Sequence, residues 1–228
     1  MMAVTPRRIE VDGIDSRKPV PAQLSVPEAV LSACRAASLH IGTPNLTNLG
    51  ITSTLRGEGR TTIAVAMAAV HRADFGRSVV LVDLDLEGST LARRLGAGPV
   101  PGLCEVVRGE CALADVIQTV GDGVRFIPAG VASGSIARTV TEAGKLDLVS
   151  RIEREAGIVI ADLPPLLGST SGRSAAALFG DLLLVVRAGV TPVARAKEAT
   201  ANLPVEPSVL LNGTESRLPR WVKRIVGA

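Results

Sequence analysis

Apolar positions divide the chain into two kinds of stretch. In "SVPEAVLSACRAASLHIG" they recur at helical spacing, predicting a helix that opens at Ser25 or Pro27 and ends near Gly42. "LGITS" is a short β-type run, and "TTIAVAMAAVHRADFG" reads as a helix over 61–76 closed by Gly76. "SVVLVDLD" is a continuous apolar strand that ends in two aspartates, followed by a short helix in "STLARRLG" and a strand in "VRFIPAG". The remainder reads as helix "KLDLVSRIEREAG", strand "IVIADLPP", helix "GRSAAALFG", strand "DLLLVVRAG", helix "PVARAKEATANL" and strand "PSVLLNG".

The strands are apolar throughout, without in-out alternation, so both faces of their sheet must be covered. Strands alternating with helices predict an α/β fold: a doubly wound, mainly parallel sheet with helices on both faces and right-handed crossovers. Residues 1–26 are rich in Pro, Arg, Asp and Ser without periodicity and read as a flexible arm. Residues 27–216 form one domain, and 217–228 a separate C-terminal segment. There is no internal repeat.

Composition refines this picture in a few places. Apolar residues make up 46% of the 228 and aromatics 2%, so the core is aliphatic. The net charge of +3 is small, and no basic stripe interleaved with aromatics is present, which argues against nucleic acid as a partner. The three cysteines, Cys34, Cys104 and Cys111, form no CxxC, and neither His40 nor His71 stands near one at metal-ligand spacing. They read as reduced structural thiols of a cytoplasmic protein. No apolar run reaches membrane-spanning length and no leader pattern opens the chain, so a soluble protein is expected.

The chemistry-bearing stretch is "GITSTLRGEGRTTIAVAMAAV", a strand, a glycine turn and a helix start. Set against G-x-x-x-x-G-K-[ST], the matching residues are Thr54 to Thr61. Gly57 and Gly59 let backbone N–H groups turn inward, and the helix that follows aims its positive end at an anion. Arg60 stands where lysine is usual and Thr54 where the leading glycine is usual. Arginine keeps the charge but is a planar fork rather than a compact point charge, so altered nucleotide binding and a larger loss in phosphoryl transfer are expected. The hydroxyl of Thr61 is placed to ligate Mg2+. Alone, such a loop could equally be a glycine turn without a ligand.

Three aspartates reinforce the loop. Asp83 and Asp85 stand where one apolar strand runs out, and Asp162 where another does. In a parallel sheet those ends face the ligand crevice. Mg2+ takes one or two carboxylates together with phosphate oxygens, and a further carboxylate can orient an attacking group. Each aspartate taken singly would read as a helix cap or turn residue.

In order, "TSTLRGEGRTT", "VVLVDLDLEG" and "IVIADLPPL" resemble the Walker A, A′ and B segments of the bacterial tyrosine kinases of capsule and exopolysaccharide export, within the MinD/ParA-like P-loop ATPases. The resemblance runs from about residue 28 to 213, through "PGLCEVVRGECALADVIQ" as a linking segment and on to "DLLLVVRAGVT" and "VLLN". It implies ATP with Mg2+ at Gly57, Glu58, Gly59, Arg60, Thr61 and Thr62, and the metal on Thr61, Asp83 and Asp162. It also implies Asp83 and Asp85 as the catalytic A′ pair, and Asn212 at the adenine. It further implies an inner-membrane polysaccharide co-polymerase as partner, and homo-oligomerisation. Against the family pattern, Glu87 stands where an arginine follows the A′ aspartates, position 55 is leucine, and the helix over 27–41 has only Arg35 of the oligomerisation motif. The sequence contains no tyrosine, so the family's tyrosine-rich tail has no counterpart and the chain cannot phosphorylate tyrosines of its own.

The last stretch, "SRLPRWVKRIVGA", if helical after Pro219, places Trp221, Val222, Ile225 and Val226 on one side and Arg220, Lys223 and Arg224 mainly on another. That suits peripheral contact with an anionic membrane, a partner surface, or docking on its own domain. Three functions therefore stand: an ATP-binding kinase-like regulator of polysaccharide export, a nucleotide-free scaffold, and a positioning ATPase of the MinD/ParA type.

Overall fold

The computed structural model describes residues 26–42 and 45–213. The C-terminal segment with Trp221, and the arm apart from Val26, lie outside the described residues. In chain order the elements are α1 (Glu28–Ile41), β1 (Asn48–Ser53), α2 (Arg60–Ala73), β2 (Val79–Asp83), α3 (Leu91–Leu95), α4 (Leu103–Val107), α5 (Leu113–Val116), β3 (Gln118–Val120) and β4 (Val124–Ile127). They continue with α6 (Ile136–Lys145), α7 (Leu148–Ala156), β5 (Ile158–Asp162), α8 (Gly172–Ala176), β6 (Asp181–Arg187), α9 (Val193–Thr200) and β7 (Ser208–Asn212).

The strands form one seven-stranded sheet in the order β3-β4-β2-β5-β1-β6-β7. Every neighbouring pair is parallel except the edge strand β3, which runs antiparallel to β4. The expected doubly wound, mainly parallel α/β architecture is therefore what the chain adopts. Two features exceed the expectation. The stretch read as a linking segment contains α4, α5 and the start of β3, and α6 forms where no helix was anticipated.

The central strands are mostly buried, β2 and β5 at every residue. Their side chains supply two cores, one per face. Val80, Val82, Val159, Ala161 and Leu184 pack beneath α6, α7 and α8 through Val140, Leu148, Ile152 and Ala175. Leu49, Ile51, Leu81, Ile160 and Leu183 pack beneath α2 through Ile63, Met67 and Val70, with Leu91 and Leu95 of α3 alongside. Full burial of each such aliphatic side chain contributes about 1.5–3 kcal/mol, which fixes the sheet as a rigid platform. Helix α1 lies on α2, where Ser38 Oγ meets the buried His71 Nε2 at 3.1 Å. All three cysteines are free thiols, Cys34 and Cys104 buried and Cys111 half-buried. Among the described residues no helix is long and apolar enough to cross a membrane.

Candidate functional site

The site begins with register. Asp83, the last residue of β2, pairs directly with Asp162, the last residue of β5. Both carboxylates therefore leave the sheet at the same level, on its carboxyl rim. Strand β1 lies on the other side of β5 and delivers the glycine loop to that rim. Its last residue is Ser53, and α2 starts at Arg60. Gly59 caps α2 with φ +96°, a left-handed conformation that favours glycine, and a Cβ there would collide with the Asn212 amide. No side chain caps the helix, so its first amides lack intrahelical acceptors and face the rim as anion donors.

These parts enclose one cleft of about 350 Å³, lined by Gly57, Gly59, Arg60, Thr61 and Thr62 from the loop and α2, by Asp83, Asp85 and Asp162, and by Arg56, Gly88, Thr90 and Arg94. The predicted loop residues other than Glu58 thus meet the three predicted aspartates in a single hollow. Two predicted residues turn elsewhere. The Glu58 side chain is 3% exposed, and its carboxylate accepts from Leu55 N at 2.8 Å, Arg187 N at 3.3 Å and the Thr191 hydroxyl. Asn212, at the end of β7, donates from Nδ2 to the Glu58 carbonyl at 2.8 Å. Both tie the loop to β6 and β7 rather than lining the cleft.

Arg60 is 7% exposed and lies inside the acidic group. Its Nη2 donates to Asp85 Oδ2, and its Nε stands 3.5 Å from Asp162 Oδ1. Arg56 adds a second cation, donating to Asp85 Oδ2 at 3.1 Å and to Glu87 Oε2 at 3.2 Å. Thr61 Oγ1 donates to Asp162 Oδ2 at 2.7 Å. Asp83 accepts from Ser89 Oγ at 2.7 Å and Asp85 N at 3.2 Å. Burial pushes Asp83 up to about 6, despite those hydrogen bonds. It pushes Asp162 up to about 7, against the pull of Arg60. Three atoms here are buried without any hydrogen-bond partner: Arg60 Nε, Asp85 Oδ1 and Asp162 Oδ1. Unsatisfied buried polar groups are costly and uncommon, so their concentration marks a place built for something more than folding.

The donor types suit a hard cation, since a hydroxyl and carboxylates are the ligands Mg2+ takes. The arrangement does not. Thr61's hydroxyl is engaged by Asp162, a guanidinium already stands against Asp85 and Asp162, and among the described residues no three acidic, imidazole or thiol groups gather closely enough to hold a metal ion. As the side chains stand, the acids of the cleft are served by an arginine.

The role of Glu87 was not readable from sequence. Its carboxylate accepts from Ser169 Oγ at 2.9 Å, Thr170 N at 2.9 Å and Thr170 Oγ1 at 2.7 Å, besides Arg56. Burial would raise its pKa, but the hydrogen bonds from Thr170 and Ser169 and the Arg56 charge outweigh that and lower it. The residue thus joins the segment after β2 to the segment after β5 and to the loop. The serine and threonine run "STS" at 169–171 was the available signal, but over 80 residues separate it from Glu87.

No family model matches the chain. It superposes on the kinase domain of the Escherichia coli tyrosine kinase ETK with a TM-score of 0.77 and 25% identity, covering 86% of this chain and 82% of that one. The putative tyrosine-protein kinase EpsB of Ralstonia nicotianae is 28% identical over 138 residues, 60% of this chain and 18% of that protein. Over these spans the chain is similar to bacterial tyrosine-kinase domains of the P-loop class. A further relative, the antiactivator FleN of Pseudomonas aeruginosa, is 30% identical over 124 residues, 54% of this chain and 44% of FleN. The match therefore spans less than half the length of these curated relatives. The chain itself carries Arg60 in the glycine loop and Glu87 after β2, and its sequence has no tyrosine.

Proposed function

We propose that this chain is an ATP-binding, kinase-like protein of exopolysaccharide or capsule export, in which phosphoryl transfer to tyrosine is weak or lost. It acts in the cytoplasm by docking against an inner-membrane polysaccharide co-polymerase, and nucleotide biases that docking or its own oligomerisation. A nucleotide can do so only through unequal affinity for the two states. In this reading residues 1–26 are an arm, 27–216 the nucleotide-responsive domain, and 217–228 a basic segment that touches the membrane or the partner.

The observation that carries the reading is the single cleft shared by the glycine loop, the open start of α2 and the three strand-end aspartates. The likeness to ETK and EpsB supports the assignment to polysaccharide export. Arg60 and the lack of tyrosine support weak or lost transfer.

Calorimetry of the full chain with ATP and with ADP tests the reading: saturable binding of either is the expected result. A second reading, a nucleotide-free scaffold, draws on the ion pairs of Arg60 with Asp85 and Asp162, which occupy the cleft from within. Absence of binding by the native chain, with recovery in Arg60→Lys, would establish that scaffold instead. Labelled phosphate appearing on a co-purified membrane partner would restore the kinase.

A further inference from the structure

We propose that Arg60 is the resident cation of this site: it excludes a divalent ion from the aspartate cluster and lets the cleft take a nucleoside polyphosphate with little dependence on Mg2+. The second half rests on the nucleotide-binding reading above; the first half does not.

The cleft is lined by Asp83, Asp85 and Asp162 and by Arg56, Arg60 and Arg94. In an ordinary P-loop site the acids face a divalent ion, and the ion bridges them to the phosphate oxygens. Here a guanidinium makes that approach. It is 7% exposed, bonds Asp85 through Nη2 and stands 3.5 Å from Asp162 through Nε. A dication entering between those carboxylates would have to sit beside a fixed positive charge in a poorly solvated pocket, where repulsion is least screened.

The residue type matters. A lysine at this position offers one compact charge on a flexible stem and can serve a phosphate while leaving the acids to a metal. Arginine's planar fork reaches two carboxylates at once and keeps its charge at any accessible pH. Its placement also leaves the acids incompletely served. Asp85 Oδ1 and Asp162 Oδ1 are buried without hydrogen-bond partners, each on a side chain no more than 4% exposed. With the guanidinium withdrawn, two carboxylates and water are enough to take a divalent ion, and these acceptors are the ones left open to it.

The neighbouring arginines supply the charge that the metal would bring to the ligand. Arg56 is held by Asp85 and Glu87 at the lip, and a Cβ on Gly88 would press on its Nη1 at 2.7 Å, so position 88 keeps room for it. Arg94, exposed on α3, faces the same hollow. A polyphosphate then finds main-chain amides and guanidinium groups, which recognise phosphate oxygens without an intervening ion.

Two measurements on the full chain decide the matter. The first is Mn2+ binding without nucleotide, followed by electron paramagnetic resonance, for the native chain, Arg60→Lys and Arg60→Ala. The expected result is negligible binding by the native chain and at least about tenfold tighter binding by Arg60→Ala, with Arg60→Lys also gaining should the alanine variant not fold. Equal Mn2+ affinity in native and variant chains would overturn the proposal. The second is ATP affinity by calorimetry in Mg2+ and in EDTA. The native value should change by less than about threefold, while Arg60→Lys should gain about tenfold or more from Mg2+. A native affinity that falls about tenfold or more in EDTA would also overturn the proposal. Should the native chain bind no nucleotide in either buffer, the nucleotide-binding reading and metal-independent binding both fail, and the Mn2+ titration still decides whether Arg60 excludes the ion.

Discussion

The glycine loop buries one charged residue on each side, and the two are treated differently. Glu58 faces the end of β6 and the turn after it, and its carboxylate meets three donors, from Leu55, Arg187 and Thr191. Arg60 faces the aspartates two positions later, and its neighbourhood leaves Arg60 Nε, Asp85 Oδ1 and Asp162 Oδ1 without hydrogen bonds. Burial is nearly the same, 3% and 7% exposed, so burial does not distinguish them. Satisfaction does. A buried charge with its valences filled is a structural clasp; one left with unspent donors and acceptors is poised for a ligand. Polar satisfaction, rather than depth, separates the two sides of the loop.

The largest test removes the cation. Arg60→Met keeps an extended apolar side chain in the space but leaves Asp85 and Asp162 without their buried partner. Breaking a buried ion pair from one side costs about 3–5 kcal/mol. In a chain of this size that lowers Tm by about 10 °C. Because the deficit comes from uncompensated carboxylates, it should be greatest near pH 8 and shrink at pH 5.5, where Asp162, at about 7, takes up a proton. Thermal melts at the two pH values check this. A deficit independent of pH would mean that Arg60 matters for packing, and the contrast with Glu58 would collapse.

The next test works in the opposite direction. Burial raises Asp83 to about 6 in the folded state from an ordinary value near 3.8. A carboxyl raised on folding favours the protonated fold, so its contribution is complete below the unfolded pKa and is lost as pH rises through 6. Asp83→Asn is neutral throughout and avoids that loss. It can still accept from Asp85 N and pair with Ser89 Oγ. Relative to native, the variant should therefore gain stability between pH 4 and 7, by at most about 3 kcal/mol. Denaturant unfolding across that window measures the gain. A variant less stable than native at pH 8 would show that the Asp83 charge is already compensated and that the acidic side of the loop is not strained.

How much of this was legible in the sequence depends on how local the signal is. The central strands are unbroken apolar runs, so "VVLVD" and "IVIAD" declared a doubly covered sheet, and the aspartates at their ends declared its rim. The glycines of the loop carry their own mechanism. Strand β3 has three residues, one of them fully buried, too few to show a period. Helices α4 and α5 have five and four residues, below any periodic window. Helix α6 offers only Ile136, Val140 and Ala143 at helical spacing, among threonines and a glycine, so its signal was diluted. At the site, the residue types were readable but their pairings were not. Arg60 read as a phosphate ligand, whereas its contacts are carboxylates. Glu87 read as a simple charge reversal, whereas it binds a serine and threonine run over 80 residues away. Glu58 read as part of the cradle, but Thr191 and Arg187, which turn it outward, stand more than 125 positions later.

The smallest expected effect belongs to Glu58. Glu58→Gln is close in size and exchanges one acceptor oxygen for an amide that donates. The carboxylate now faces donors only: Leu55 N on one oxygen, Arg187 N and the Thr191 hydroxyl on the other. The glutamine will turn its remaining oxygen toward the pair and leave Leu55 N facing an NH2 group. One buried donor is orphaned and a charge-assisted bond is lost, a cost of about 1–2 kcal/mol. The variant should melt correspondingly earlier, and Mn2+ binding should stay negligible, as expected of the native chain. Melts and the same resonance titration measure both. A Glu58→Gln chain that began to bind Mn2+ would show that the clasp sets the position of Arg60, and the two sides of the loop would then be one device rather than two.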